Sequence, residues 1–280
     1  MRKTQKKIAL INDFSGFGRC SLTVSIPIIS AMGIQCCPLP TAVLSNHTGY
    51  EQYFFDDYTQ SMIPYYTQWE HLGLQFDGIY TGFLGSYEQV EIVLDFIRRF
   101  ARPDTVVIVD PVMGDDGKTY DTLTPRLCRE LVRLAQRADV LTPNVTEACI
   151  LAGVPYRADL CSLQELQALA ETLSGQKEKD IIITGVEQNG EIGTFIRRRS
   201  GDCEYFSQPL AGPRRAGTGD VFASVVAADA VCGRDLRNSV HKAAAFVADG
   251  IRLSEELQIP PQDGIAFEML LSRLIPENAP

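Results

Sequence analysis

Ala216-Gly217-Thr218-Gly219-Asp220 leads straight into an apolar run that begins Val221-Phe222. Two glycines let a backbone fold tightly and turn its N–H groups toward one point. A helix start behind them adds unpaired donors and a positive dipole end. Such a turn suits an anion, phosphate first, although the same residues could simply begin a helix with Asp220 as its cap. A carboxylate beside an anion turn can take the proton of a hydroxyl as that oxygen attacks phosphorus. Phosphoryl transfer, with its loose transition state, asks such a group for orientation more than for basicity.

Two further polar clusters follow β-branched runs. Asp110-Pro-Val-Met-Gly-Asp115 comes after Thr105–Val109, and Thr142-Pro-Asn144-Val-Thr-Glu147 after Val140-Leu141. Asp110 and Glu147 could hold a hydrated Mg2+ near nucleotide phosphates, directly or through water. The plainer alternative is that Asp110 and Asn144 tie down turns and Glu147 sits in the first turn of a helix. A fourth cluster, Asn12-Asp13-Phe-Ser15-Gly16-Phe-Gly18-Arg19, fits neither G-x-x-x-x-G-K-[ST] nor G-x-G-x-x-G and reads as a substrate-lining turn.

The elements that must position these clusters alternate. Ile8–Ile11, Ile79–Thr81, Thr105–Val109 and Ile181–Ile183 read as buried strands. Ser86-x-x-Gln89 and Ser162-x-x-Glu165 are capping boxes, and Thr124-Pro125 places a cap ahead of an N1 proline. Asn189-Gly190 marks a hairpin, with strands at Gly193–Ile196 and Cys203–Phe206. Strands alternating with helices predict a three-layer α/β/α fold, its central sheet mostly parallel with antiparallel edge strands. Ligands of such sheets bind beyond the carboxyl ends of the strands, where every cluster above falls.

Composition narrows the functional classes. The 280 residues carry a net charge of −9, which disfavours nucleic acid or an anionic membrane as partner. Eight cysteines without a C-x-x-C, and only three histidines, draw no zinc spacing and suit reduced cytosolic thiols. The basic MRKTQKK start is followed by an apolar run too short for a signal peptide, so a soluble cytoplasmic protein is expected. Trp69 and Tyr65-Tyr66 read as core or dimer-contact aromatics, Asp116–Tyr120 as a polar loop near the nucleotide, and Arg197–Arg199 as a solvated strand end.

Gly217–Asp220, Asp110–Asp115, Thr142–Glu147 and Ser45-Asn-His-Thr-Gly-Tyr50 together resemble the pyridoxal kinases of the ribokinase-like superfamily, in order and spacing from about Ile8 to Gly250. Ser45-Asn-His-Thr is the most discriminating segment. The resemblance implies ATP-dependent phosphorylation of the 5′-hydroxymethyl group of a B6 vitamer, with Mg2+ and often K+, by a homodimer. It implies Asp220 as base and the amides of Gly217, Thr218 and Gly219 as the anion hole. It puts Asp110, Thr142, Asn144, Glu147, Thr184, Pro209 and Leu210 on the nucleotide and metal side, and Asp13, His47 and Thr48 on the vitamer side. It also implies a single domain over 1–280, with 1–7 and 258–280 peripheral.

The chain departs from that pattern at Asp13, where pyridoxal kinases commonly carry Ser. Asp13-Phe-Ser-Gly is instead similar to the turn of hydroxymethylpyrimidine kinases of thiamine synthesis, which usually have Cys at the position of Asp220. An Asp there predicts a preference for the cationic pyridoxamine. The rival readings are a hydroxymethylpyrimidine kinase and a non-catalytic protein that binds B6 compounds or nucleotides.

Overall fold

The structure is a computed structural model that describes residues 5–160, 162–175 and 178–276. In chain order the elements are β1 (Lys7–Phe17), α1 (Ser21–Ala31), β2 (Gln35–Asn46), β3 (Phe55–Asp57), α2 (Thr59–His71), β4 (Gly78–Thr81), α3 (Tyr87–Phe100) and β5 (Val106–Val109). There follow β6 (Gly114–Asp115), β7 (Lys118–Thr119), α4 (Pro125–Ala135), β8 (Val140–Leu141), α5 (Val145–Ala152) and α6 (Leu163–Ser174). Last come β9 (Asp180–Gln188), β10 (Glu191–Arg197), β11 (Cys203–Pro209), α7 (Thr218–Val231), α8 (Leu236–Glu256) and two short 3₁₀ turns. Packing divides the chain into two units, one of residues 1–83, 96–106 and 211–280, the other of 84–95 and 107–210.

In the first unit β1 pairs in parallel with β2 on one side and β4 on the other, and β3 adds an antiparallel edge to β2. Ile8, Ala9, Leu10 and Ile11 are all completely buried. Successive residues of a strand face opposite sides, so both faces of this sheet are covered. Helix α7 is apolar almost all round and is buried from Val221 through Ala228, as a helix enclosed by α1, α8 and β4 must be. The Tyr66 ring packs edge-on to Phe96 and Phe100, at 5.4 and 6.0 Å between ring centres, so that tyrosine is a core residue as expected.

The second unit repeats the plan. Strands β5, β8 and β9 run parallel, and β10 and β11 extend them antiparallel. Ile181, Ile182 and Ile183 are fully buried, so these strands too are covered on both faces. Asn189 and Gly190 both take positive φ, 53° and 78°, the two-residue turn that matches strand twist. The anticipated caps form: Thr124 Oγ1 accepts from Leu127 N at 3.1 Å, and Ser162 and Glu165 cap reciprocally.

Three expectations change. The Asn12–Phe17 segment is not a turn but the continuation of β1, which pairs Phe14, Ser15 and Phe17 with β2 beyond a bulge between Asn12 and Phe14. The bulge re-aims the strand without ending it. Residues 258–274 are not peripheral, because Ile265, Ala266 and Phe267 are buried in the first unit's core. At the other end Lys7 opens the central strand. Among the described residues, no helix is long and apolar enough to cross a membrane.

Candidate active site

In the first unit the site is built around the start of α7. Gly217, not Asp220, is the N-cap residue, at φ 69°, and no side chain caps the helix. A Cβ on Gly217 would lie 1.8 Å from the Arg19 carbonyl oxygen, so the approach of the two backbones admits glycine alone. Thr218 donates its hydroxyl to Arg215 O at 3.3 Å. Gly219 is exposed, and a Cβ there would meet no atom within 4 Å. Arg215 steadies the turn from below, its guanidinium buried against the Ile259, Pro260 and Gly264 carbonyls and the Glu255 carboxylate.

Asp220, freed from capping, points its carboxylate toward β1. It accepts from Asn12 Nδ2 at 3.3 Å. Burial, helped by the neighbouring Asp13 charge, raises its pKa from the ordinary carboxylate value to about 6. Asn12, which the sequence offers only as a member of the substrate-lining cluster, ties these groups together: its Oδ1 also accepts from Asp13 N at 3.0 Å and Phe83 N at 2.7 Å. Asp13 is buried and takes the Ser15 hydroxyl at 2.8 Å. Burial raises its pKa as well, against hydrogen bonds from the Ser21 and Ser15 hydroxyls. The same two carboxylates and its own burial push the Cys20 thiol up to about 12, so it stays protonated and inert.

His47 follows β2 and is engaged by the chain itself. Its Nδ1 accepts from Gly49 N at 3.1 Å, so Nε2 carries the hydrogen and donates to Gln262 O at 2.7 Å. The Tyr50 ring lies tilted against it, 4.7 Å between ring centres, and its hydroxyl donates to the Asp263 carboxylate at 2.6 Å. Thr48 is exposed at the tip of this turn. The tail residues Gln262 and Asp263 carried no signal in sequence that they would brace the Ser45–Tyr50 turn.

The second unit holds the other cluster. Asp110 directly follows β5, is buried, and accepts from Thr142 Oγ1 at 3.1 Å. Asn144 caps α5 through Glu147 N at 2.9 Å and donates to Gly114 O at 2.8 Å. Glu147 completes a capping box, accepting from Asn144 N and Met113 N at 2.9 Å each. Full burial lifts its pKa to about 7 in spite of those donors. Asn144 and Glu147 thus tie down Met113 and Gly114, next to Val112, a β-branched residue at φ 32°. Thr184 bridges to Asn144 from β9. Pro209 and Leu210 lie on the β10–β11 hairpin, where Leu210 N donates to Gly190 O at 3.0 Å.

Among the described residues no three His, Cys, Asp or Glu side chains gather as a metal-binding group. Asp110 with its Thr142 partner still fits Mg2+, which keeps most of its water and needs one or two carboxylates besides phosphate oxygens.

Comparison with known proteins follows the same lines. A chain from Bacteroides thetaiotaomicron, provisionally assigned as a phosphomethylpyrimidine kinase and crystallised with pyridoxal, is 40% identical. It superposes with a TM-score of 0.92 over 97% of this chain and 96% of its own. A pyridoxal kinase from Corynebacterium diphtheriae is 25% identical over 279 residues, 94% of this chain and 96% of that one. A hydroxymethylpyrimidine/phosphomethylpyrimidine kinase from Haemophilus influenzae is 29% identical over 210 residues, 69% of this chain and 71% of that one. The fold is thus the mostly parallel, ribokinase-like α/β arrangement, and with the phosphomethylpyrimidine kinase family model matching residues 25–265, the chain belongs to that family.

Proposed function

We propose that this protein transfers the γ-phosphoryl group of ATP to the 5′-hydroxymethyl group of a B6 vitamer, pyridoxal, pyridoxine or pyridoxamine. The observation that carries the reading is the start of α7, where a carboxylate poised near pH 6 stands beside helix amides that no side chain caps. The pyridoxal found with the Bacteroides relative supports the choice of acceptor.

Asp220 orients the vitamer hydroxyl and accepts its proton as the oxygen attacks the γ-phosphorus in line. The bond to the leaving ADP oxygen breaks, and the Gly217, Thr218 and Gly219 amides take up charge on the moving phosphoryl group. The vitamer lies on the Asp13, His47 and Thr48 side, with His47 holding the Ser45–Tyr50 turn and not the ring. Asp110, Thr142, Asn144, Glu147 and Thr184 serve the nucleotide, and Pro209-Leu210 flanks it. Mg2+ carried by Asp110, with Glu147 acting through the turn it braces, would neutralise phosphate charge. The reading includes a K+ requirement, one kinase domain, a homodimer and a cytoplasmic setting. Asp13 disposes the site to pyridoxamine, a preference that Asp13→Ser should abolish.

A second reading, hydroxymethylpyrimidine phosphorylation, is favoured by the Asp13-Phe-Ser-Gly segment and the Haemophilus relative. The deciding experiment is ATP consumption by the purified protein with Mg2+ and K+, offered each vitamer and hydroxymethylpyrimidine. Faster turnover of a vitamer is the expected result. Turnover of the pyrimidine alone would establish the second reading, and none with any acceptor would leave a binding protein.

A further inference from the structure

Soon after α8 ends, Ile259 through Gly264 turn every one of their carbonyls on a segment that builds the site. Arg215 Nη1 donates to Ile259 O at 2.9 Å, Pro260 O at 3.3 Å and Gly264 O at 3.1 Å. Ala216 N, one residue ahead of Gly217, donates to Pro261 O at 3.1 Å. Gln262 O takes His47 Nε2 at 2.7 Å, and Asp263 O takes Arg19 N at 3.3 Å. The strip is stiff, because two successive prolines fix φ. Gly264, at φ 86°, closes on Arg19 so tightly that a Cβ would lie 2.7 Å from Arg19 Cβ. Six residues thus grip both the Ser45–Tyr50 turn and the approach to the Gly217–Gly219 turn. A main-chain acceptor cannot be removed by substitution, but one tie runs between two side chains. The Tyr50 hydroxyl donates to the Asp263 carboxylate at 2.6 Å, with Gln262 O a longer second acceptor at 3.3 Å.

We infer that Ile259–Gly264 is a clamp that fixes the Ser45–Tyr50 turn relative to the Gly217–Gly219 turn, with Tyr50 and Asp263 as its positioning residues. The inference rests on the kinase reading for its kinetic consequence but not for its geometry. In-line attack needs the acceptor oxygen close to phosphorus and aligned with the bond that breaks, and a displacement of about 1 Å can cost about a hundredfold. A loosened Ser45–Tyr50 turn leaves the Gly217–Gly219 turn formed, so ATP is still cleaved while water competes with the misplaced hydroxyl. The water oxygen then bonds to the γ-phosphorus, the bond to the ADP oxygen breaks, and ADP, inorganic phosphate and a proton leave. Less vitamer phosphate per ADP is the signature, one that general destabilisation would not produce.

The test compares Tyr50→Phe, Asp263→Ala, Asp263→Asn and the Tyr50→Phe/Asp263→Ala double variant by steady-state kinetics and by vitamer phosphate formed per ADP released. Tyr50→Phe and Asp263→Ala should each lower kcat about tenfold and cut that product ratio at least about twofold. Asp263→Asn keeps an acceptor for the hydroxyl and should match the wild type. The double variant should be no worse than Tyr50→Phe alone, since both changes cut the same bond. An unchanged product ratio, an Asp263→Asn as impaired as Asp263→Ala, or effects that multiply would overturn the inference while leaving the kinase reading standing. If Asp263→Ala does not fold, Tyr50→Phe, which removes a single oxygen, is read against Asp263→Asn in its place. If the wild type turns over no vitamer, the kinase reading fails and the clamp is judged by amide hydrogen exchange. In Tyr50→Phe exchange should quicken across 215–217 as well as 45–50, and a change confined to 45–50, or none, would refute the inference.

Discussion

Asp220 takes its basicity from where it sits. Burial and the Asp13 charge raise its pKa to about 6, whereas Asn12 Nδ2 and the Ser21 amide restrain the rise. If it is the base, kcat/KM should climb as pH passes through about 6 and the carboxylate ionises. Asn12→Ala removes one restraint and should move that acid limb to higher pH, read directly from a pH–rate profile. Asp220→Asn should lower kcat by about a hundredfold or more. The two turn glycines make opposite predictions. Gly217→Ala drives a Cβ into Arg19 O and should cost both folding stability and turnover. Gly219→Ala meets open space at a helical position, so its Tm should hold or rise slightly while turnover falls at least about tenfold, if that amide serves the phosphoryl group. At this scale much was legible, since Gly217–Asp220 declared an anion turn by type and spacing. The Asn12 role was not, because a bulge leaves no periodic trace.

At the scale of the element, α5 shows a motif whose residues also hold their own turn together. Asn144 and Glu147 form the expected first turn, yet the Glu147 carboxylate is spent on Asn144 N and Met113 N. Glutamine can accept only through one oxygen and would set its NH2 against an N–H. Glu147→Gln should therefore destabilise the protein by ~1–3 kcal/mol, measurable by calorimetry, with turnover falling as the Val112 turn loosens. Caps and the Asn189-Gly190 hairpin were legible because their chemistry is local. Helix α2, with Pro64 inside it and little buried beyond Met62 and Tyr66, gave no clear face to read. The far half of β1 was hidden for a different reason: its glycines and polar residues owe their extended form to pairing with β2, a long-range partner.

Over the whole molecule two carboxylates with raised pKa values govern stability against pH. Glu147 and Asp220 have folded-state pKa values of about 7 and about 6, above their ordinary values, so the native protein binds more protons than the unfolded chain in between. Their contribution to stability is lost as pH rises through 6 and 7 and is regained on acidification toward 5. Thermal melts should give a higher Tm at pH 6 than at pH 8, and Glu147→Gln should flatten that slope. Deleting residues 259–280 should abolish cooperative melting, since Ile265 and Phe267 leave the core.

The ties of His47 to Gln262 and of Tyr50 to Asp263 join positions more than two hundred residues apart. A ribosome releases the chain from the N-terminus, so the Ser45–Tyr50 turn emerges early and waits for about two hundred further residues before its brace arrives. Until then neither the turn nor the buried face awaiting Phe267 can close, and termination ahead of Gln262 should yield chains for proteases rather than partly working enzyme.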